Sequence, residues 1–307
     1  METSGEKFIH LPDSTRICYQ TFGNPSDPTI ILISGGAQSM LSWPEDFILM
    51  LTPPSNRHFI VRYDIRDTGR STSDPLSQNG NSQNKTVNYT LNDLCNDALA
   101  ILDHLRVEAA NFVGFSLGGG IAWIIAAKQP HRVKSLSLLS TTPIGPFPGA
   151  EEGLPTVDAD LIAQMSAGPY PDDWHNKDQV VRFLTYFDNC MAYNHPTQER
   201  EEEEEEENRR QAERVFDRAE MEHSSVQRIF NQAGAAQSRW PRELLKNVKC
   251  PTVIIHGRQD RNLSLPHAYA LNQEIEGSKL VIYEDIAHEM PRRIWNATVR
   301  EILDICN

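Results

Sequence analysis

A serine flanked by glycines has the residue types and spacing of a reactive turn. Residues 114–118 (Gly-Phe-Ser-Leu-Gly) place Ser116 two positions after one glycine and two before another. The apolar run Ala110–Val113 precedes this turn, and the helix-like stretch Ile121–Lys128 follows it. A serine held between a buried strand and a helix needs small neighbours, because bulkier side chains would collide in so tight a turn. The pattern therefore predicts a nucleophile at a helix N-terminus.

A serine hydroxyl is a weak nucleophile, so it requires a base and an acid that orients the base. Asp260 follows the apolar run of residues 251–257, and His288 lies in a loop after the apolar run of residues 280–283. We predict His288 as the general base and Asp260 as its acid. Asp285 is an alternative acid, but it is too near His288 in sequence to turn easily toward the ring. His256 lies within a strand and is expected to pack or hydrogen-bond locally.

Two backbone N–H groups are needed to stabilise the oxyanion of an acyl-transfer reaction. The residue after the nucleophile, Leu117, supplies one of them. The second is expected from the loop after the third strand, residues 34–38 (Ser-Gly-Gly-Ala-Gln), and we assign it to Gly36. Two glycines in this loop allow the backbone to approach a substrate closely.

The chain resembles a known superfamily. The motifs that carry the resemblance are the glycine loop at residues 35–36, the turn Arg62–Ser71 (Arg-Tyr-Asp-Ile-Arg-Asp-Thr-Gly-Arg-Ser), the serine motif and the late Asp and His. They are similar to the α/β-hydrolases, whose triad also runs Ser, Asp, His along the chain, and more narrowly to the aclacinomycin methylesterase group. The resemblance implies an eight-stranded core, a helical cap, and Ser116, Asp260 and His288 as the triad. Many members have His-Gly where this chain has Ser34-Gly35.

The elements around these motifs predict an α/β fold. Short apolar runs alternate with helical patterns, which indicates βαβ units and a mostly parallel sheet flanked by helices. An antiparallel pair, Lys7–Leu11 with Arg16–Phe22, is expected before it. The alternation stops between about Thr142 and Val248. We therefore predict a core domain of residues 1–142 and 248–307 and an inserted helical cap, or lid, of residues 143–247.

Composition narrows the choice of partners. A net charge of −13 disfavours nucleic acid and anionic membranes, because both are polyanions. No apolar segment approaches the roughly 18 residues of a membrane span. Five scattered cysteines favour reduced thiols, and none lies in a CxxC pair that would indicate zinc. We expect a cytoplasmic monomer or homodimer that needs no metal or cofactor and acts on a small molecule.

The expected reaction is hydrolysis of an ester or lactone through an acyl-enzyme on Ser116. The resemblance implies a bulky apolar or aromatic substrate, such as a polyketide-type secondary metabolite, bound between core and cap. Aromatic residues are candidates to line that space: Trp43, Phe115, Trp174, Tyr186, Tyr193 and Trp240.

Other functions stay open at this point. The same triad would serve cyclisation, isomerisation, carbon–carbon cleavage or epoxide opening, and a ligand receptor could retain the site. Epoxide hydrolases and dehalogenases that use an aspartate nucleophile are disfavoured by Ser116.

Two charged motifs have simpler structural interpretations. Asp64, Arg66, Asp67 and Arg70 are expected to form a salt-bridged turn. The run Glu201–Glu207 is expected to form a solvated helix face, since arginines stand four positions after two of its glutamates.

Overall fold

A computed structural model describes residues 2–73, 89–145, 153–193, 202–221, 226–236 and 240–306. Of residues 202–204, 233, 234 and 236 it describes the backbone only.

One eight-stranded sheet forms the centre of the molecule. The strands are β1 (Thr3–His10), β2 (Arg16–Phe22), β3 (Thr29–Ile33), β4 (Phe59–Tyr63), β5 (Ala110–Phe115), β6 (Val133–Leu139), β7 (Thr252–Gly257) and β8 (Lys279–Tyr283). Their order across the sheet is β1-β2-β4-β3-β5-β6-β7-β8. The pairs β1–β2 and β2–β4 are antiparallel and the remaining pairs are parallel. The predicted α/β fold is confirmed.

Helices cover both faces of this sheet. They are α1 (Glu45–Met50), α2 (Leu91–His104), α3 (Leu117–Lys128), α8 (Pro266–Glu274) and α9 (Arg292–Ile305). All five residues of strand β3 are buried. Because successive side chains point to opposite faces of the sheet, both faces must be covered by helices. Ile31 and Ile33 join the apolar cluster that contains residues of α2, α3 and α8. Ile30 and Leu32 join the cluster that contains residues of α1 and α9. Alternation along the strand thus serves both layers.

Two element boundaries differ from the predictions. Strand β1 begins at Thr3, four residues before the predicted start, because Thr3 pairs with Phe22 beyond a register shift. Helix α3 begins at Leu117, four residues before the helix-like stretch Ile121–Lys128, because Ser116 occupies the cap position directly before the first helical residue.

The segment between β6 and β7 contains helices joined by loops, and no strand occurs among the residues that the structure describes there. It contains α4 (Ala159–Ser166), α5 (Lys177–Met191), α6 (Glu202–Glu220) and α7 (Asn231–Ala236). Asp158 and Asn176 cap α4 and α5 by accepting backbone N–H groups. Helices α5 and α6, with residues 226 and 229, form a separate apolar cluster. Trp240 and Leu245 belong instead to the core cluster, although they lie within the predicted cap.

Candidate active site

Ser116 lies in a strained turn between β5 and α3. Its φ of 52° and ψ of −119° are unusual for a residue with a side chain. A Cβ at Gly114 would lie 2.3 Å from the carbonyl oxygen of Gly118. A Cβ at Gly118 would lie 2.2 Å from the carbonyl oxygen of Ile33. Both positions therefore exclude a side chain, as the motif requires.

Ser116, His288 and Asp260 form a continuous hydrogen-bonded chain. His288 Nε2 lies 3.0 Å from Ser116 Oγ, and His288 Nδ1 lies 2.8 Å from Asp260 Oδ2. A carboxylate can only accept, so the Nδ1–H tautomer satisfies both contacts: Nδ1 donates to Asp260 and Nε2 accepts from Ser116. The structure thus brings together residues that are separated by up to 172 positions in sequence.

The surroundings of Asp260 favour its ionised form. Burial by itself would raise the pKa of Asp260, but the charge and hydrogen bond of His288 and the proximity of His256 hold that pKa below its ordinary value. The other carboxylate oxygen, Oδ1, accepts the N–H groups of Asn262 and Leu263 at 2.9 and 2.7 Å. These bonds fix the carboxylate in the orientation that the His288 ring needs.

His256 has the local role that its strand position indicated. Its Nε2 donates to the carbonyl of Leu263 at 2.6 Å, and the same atom lies 3.5 Å from Asp260 Oδ2. Burial lowers the pKa of His256, which favours the neutral ring behind the carboxylate. The alternative acid, Asp285, lies on the loop before His288 and uses its backbone carbonyl to accept from Arg293.

Gly36 and Leu117 lie beside each other above the serine turn. A Cβ built on Gly36 would lie 3.6 Å from Leu117 Cδ2. Leu117 is the first residue of α3, so its N–H has no acceptor within the helix. Among the described residues, none accepts a hydrogen bond from the N–H of Gly36. The two residues predicted as oxyanion donors line the same cavity as Ser116.

A cavity of about 2190 Å³ opens over Ser116 between the core loops and the cap helices. It exceeds the roughly 300–1000 Å³ of ordinary small-molecule pockets. Four of the six aromatic residues predicted to line it do so, namely Trp43, Phe115, Tyr193 and Trp240. Most of the Trp240 side chain is buried, and its ring packs beside that of Trp123.

Two predicted lining residues are in other positions. Trp174 and Tyr186 are not among the described residues that line the cavity. Trp174 packs edge-on against Phe183 and Phe230 inside the cap. Tyr186 donates its hydroxyl to the carbonyl of Gln164 at 2.7 Å and thereby joins α5 to α4. Both side chains stabilise the cap itself, which corrects their assignment to substrate contact.

The sequence interpretation missed most of the cap wall. The aromatic members that it missed, called here the cap aromatic wall, are Tyr170, Phe183, Phe187 and Phe230. Phe183 and Phe187 pack with ring centroids 4.6 Å apart. A signal for two of them was present, because Val180, Phe183, Leu184 and Phe187 recur at helical spacing along α5.

The four charged residues after β4 form ion pairs with distant parts of the chain, while within the turn Asp64 Oδ2 accepts the backbone N–H of Arg70 at 2.9 Å. Arg66 pairs with Asp97 on α2 at 2.6 Å, and Arg70 pairs with Glu6 at 2.8 Å. Asp64 and Asp67 instead receive arginines from the cap: Arg218 lies 2.7 Å from Asp64, and Arg228 lies 3.7 Å from Asp67. The predicted salt-bridged turn is therefore wrong in its partners, because each charge reaches another part of the chain.

The glutamate run is helical over its described part, since α6 begins at Glu202. Glu206 pairs with both Arg209 and Arg210. Glu205–Glu207 also lie at the cavity, which the sequence interpretation did not predict. Glu201 lies outside the described residues.

The comparisons with known proteins agree with this architecture. A family model described as the alpha/beta hydrolase fold matches residues 28–291. The chain belongs to the α/β-hydrolase family. This α/β-hydrolase is 27% identical to the rhodomycin D methylesterase DauP of Streptomyces sp. strain C5 over 295 residues, which is 91% of each chain. It is 36% identical to the rhodomycin D methylesterase DnrP of Streptomyces peucetius over 127 residues, 41% of this chain and 39% of the relative.

Solved structures place the α/β-hydrolase in the same fold. The enol-lactonase from Burkholderia xenovorans LB400 superposes with a TM-score of 0.70 at 20% identity, covering 97% of this chain and 99% of the lactonase. Within the part of the chain that the structure describes, no helix combines the length and the apolar character that crossing a bilayer requires.

Proposed function

We propose that this α/β-hydrolase is a serine esterase that cleaves a carboxylic ester or lactone through an acyl-enzyme on Ser116. Carboxylic ester hydrolysis is the activity that the methylesterase relatives support. The observation that carries the finer proposal is the hydrogen-bonded chain from Ser116 through His288 to Asp260.

In the first half-reaction, Ser116 Oγ attacks the substrate carbonyl while His288 Nε2 removes its proton. Asp260 stabilises the imidazolium that forms, and the N–H groups of Gly36 and Leu117 bind the oxyanion. When the tetrahedral intermediate collapses, the C–O bond of the ester breaks and His288 returns the proton to the leaving alcohol. The products of this step are the alcohol and the Ser116 acyl ester.

In the second half-reaction, His288 removes a proton from water, which attacks the acyl carbonyl. Collapse of this second intermediate returns the proton to Ser116 Oγ and releases the carboxylic acid. Each cycle therefore consumes one water and yields one alcohol and one acid. All proton transfers use side chains of the chain itself.

The proposed substrate is an ester of a bulky aromatic molecule of the polyketide type. Two features support this class: the size of the cavity and the cap aromatic wall, which lines the same cavity as Ser116. The names of the methylesterase relatives favour a methyl ester. Residues 143–247 would act as the cap that encloses the acid portion, while the ester group lies against Ser116.

Product analysis tests this proposal. The enzyme is incubated with methyl anthracene-2-carboxylate and with methyl acetate, and both acid and methanol are quantified. We expect equimolar acid and methanol, a higher kcat/KM for the aromatic ester, and a loss of about 10⁴-fold or more in Ser116→Ala. Undiminished turnover in Ser116→Ala would contradict the proposal. Consumption of an ester without release of methanol would indicate a non-hydrolytic reaction instead.

A further inference from the structure

A glutamine of the cap contacts the loop that supplies one oxyanion donor. Gln232 lies on α7, and only 2% of it is exposed. Its Oε1 accepts the N–H of Ala37 at 2.8 Å, and its Nε2 donates to the carbonyl of Arg66 at 2.7 Å. One side-chain amide thus joins the loop after β3 to the loop after β4. Gln232 and Ala37 are 195 positions apart in the sequence.

The loop after β3 needs external support. Ala37 has a φ of 63°, in the left-handed region that residues with a Cβ rarely adopt. Such a conformation persists only where surrounding contacts fix it. Gln38 Oε1 accepts the N–H of Gly35 at 3.2 Å, and Asp64 accepts the N–H of Met40 at 2.8 Å. Between these two contacts, the bond from Gln232 holds the strained residue.

Gln232 is also adjacent to the proposed oxyanion donor. A Cβ on Gly36 would lie 4.0 Å from Gln232 Oε1 and 3.6 Å from Leu117 Cδ2. Gly36 therefore lies close to both the cap glutamine and the first residue of α3. The N–H of Ala37 belongs to the peptide plane that joins Gly36 to Ala37, so its bond to Gln232 restricts rotation of that plane. The Gly36 N–H lies in the preceding peptide plane, and its direction relative to the restricted plane is set by the two backbone dihedrals of Gly36.

We propose that Gln232 is a positioning residue for the oxyanion hole, so that docking of residues 226–236 sets the donor geometry of Gly36. This inference rests on the proposed esterase function and deepens it. The cap then has two roles: it encloses the substrate, and it completes the loop that stabilises the transition state.

Asn231 provides a matched control from the same helix. Its Nδ2 donates to Asp67 Oδ2 at 3.0 Å, which is also a bond from cap to core. Asp67 has other donors, Ser73 and Tyr89, so its carboxylate remains hydrogen-bonded without Asn231. A variant at Asn231 weakens cap docking but leaves the loop after β3 untouched.

The experiment compares Gln232→Met with Asn231→Leu, which remove the hydrogen bonds while nearly preserving volume. Gln232→Asn is a second variant that retains a buried amide but is one methylene too short to bridge both loops. Circular dichroism and thermal denaturation confirm folding. For the ester test substrate, kcat and KM are measured separately, as is inhibition by an aryl trifluoromethyl ketone, which forms a tetrahedral adduct with a nucleophilic serine.

We expect kcat to fall about tenfold or more in Gln232→Met, because small displacements of catalytic groups have large effects on rate. KM should change less than twofold, and the ketone should bind more weakly by a similar factor. The kcat of Gln232→Asn should lie between those of Gln232→Met and wild type, and the kcat of Asn231→Leu should remain within twofold of wild type. A wild-type kcat in a folded Gln232 variant, or a loss that appears in KM alone, would overturn the inference. Activity in Ser116→Ala would instead contradict the esterase proposal, so the two failures are distinguishable.

Discussion

The core and the cap fix their functional groups by different means. In the core, Ser116, Asp260 and His288 follow β5, β7 and β8, and parallel strands bring their carboxyl ends to one edge of the sheet. Backbone topology therefore sets their proximity. The cap is attached through individual buried side chains, among them Arg218 on Asp64 and Gln232 on Ala37. Loss of a single cap contact should therefore disturb the position of the cap more than loss of a single backbone hydrogen bond disturbs the sheet.

The same comparison extends to the loop that carries the proposed base. The backbone N–H of His288 donates to the carbonyl of Met191, the last residue of α5, at 2.9 Å. The N–H of Tyr193 donates to Glu289 at 2.9 Å. The cap thus contacts both the His288 loop and the loop that contains Gly36. The proposed substrate enclosure and the proposed catalytic geometry therefore share these contacts.

The largest effect is expected for Asp260→Asn, in the core. The amide no longer holds the His288 ring in the Nδ1–H tautomer, and kcat should fall about 10⁴-fold, as in other triads. Steady-state hydrolysis of an aryl ester measures this change. Asp285→Asn is the matched control and should stay within about threefold of wild type. If Asp285→Asn caused the larger loss, Asp285 rather than Asp260 would be the acid.

The next effect is expected where the cap joins the core. Arg218→Met leaves Asp64, which has no exposed surface, without its buried cation. We expect a loss of about 3–5 kcal/mol in the free energy of unfolding, measured by urea denaturation. Arg209→Met, on the exposed part of the same helix, should leave stability nearly unchanged. Equal stabilities for the two variants would show that the buried ion pair does not anchor the cap.

A smaller effect, on the pH dependence of stability, is expected where His267 of the core contacts Pro155 of the cap. His267 on α8 lies 2.9 Å from Thr142 Oγ1 and 2.9 Å from the carbonyl oxygen of Pro155, and burial lowers its pKa from the ordinary 6.5. The unfolded chain therefore binds a proton that the folded chain does not. The free energy of unfolding should therefore decrease as the pH falls below 6.5, the ordinary pKa of histidine, because protonation then favours the unfolded chain.

His267→Gln cannot titrate, and its amide N–H can donate to the Pro155 carbonyl in place of Nε2. The free energy of unfolding is measured by urea denaturation at several pH values between 7.5 and 5.5. Its dependence on pH should be weaker in His267→Gln than in wild type by up to about 1.4 kcal/mol per pH unit. The buried residues His58 and His256, whose pKa values are also lowered, should maintain part of the slope. An unchanged slope would mean that His267 titrates equally in both states.

The smallest effect is expected within the cap aromatic wall. Phe187→Leu shortens a side chain that lines the cavity, and KM for the anthracene ester should rise about fivefold, in line with partial loss of aromatic burial. Trp174→Phe, inside the cap, should alter KM less than twofold. Equal effects would indicate that both residues act through cap packing.

Much of the core could be predicted because its signals are local. Gly114 and Gly118 flank the serine within five residues, and the buried run of β3 predicts a strand covered on both faces. The cap contacts had no such signal. Arg218 meets Asp64 across 154 positions, and an exposed helical arginine has the same sequence pattern as a buried one. Trp174 was predicted to touch substrate because an aromatic residue alone does not indicate whether it faces a cavity or a neighbouring helix.

The most direct test of the central claim is covalent labelling of Ser116. The folded protein is treated with a fluorophosphonate, and intact mass and peptide mapping locate the adduct. We predict one phosphonyl group, on Ser116, and labelling at least 100-fold slower in His288→Ala. Folded protein that remained unlabelled, or that carried the adduct on another residue, would contradict the assignment of Ser116 as the nucleophile.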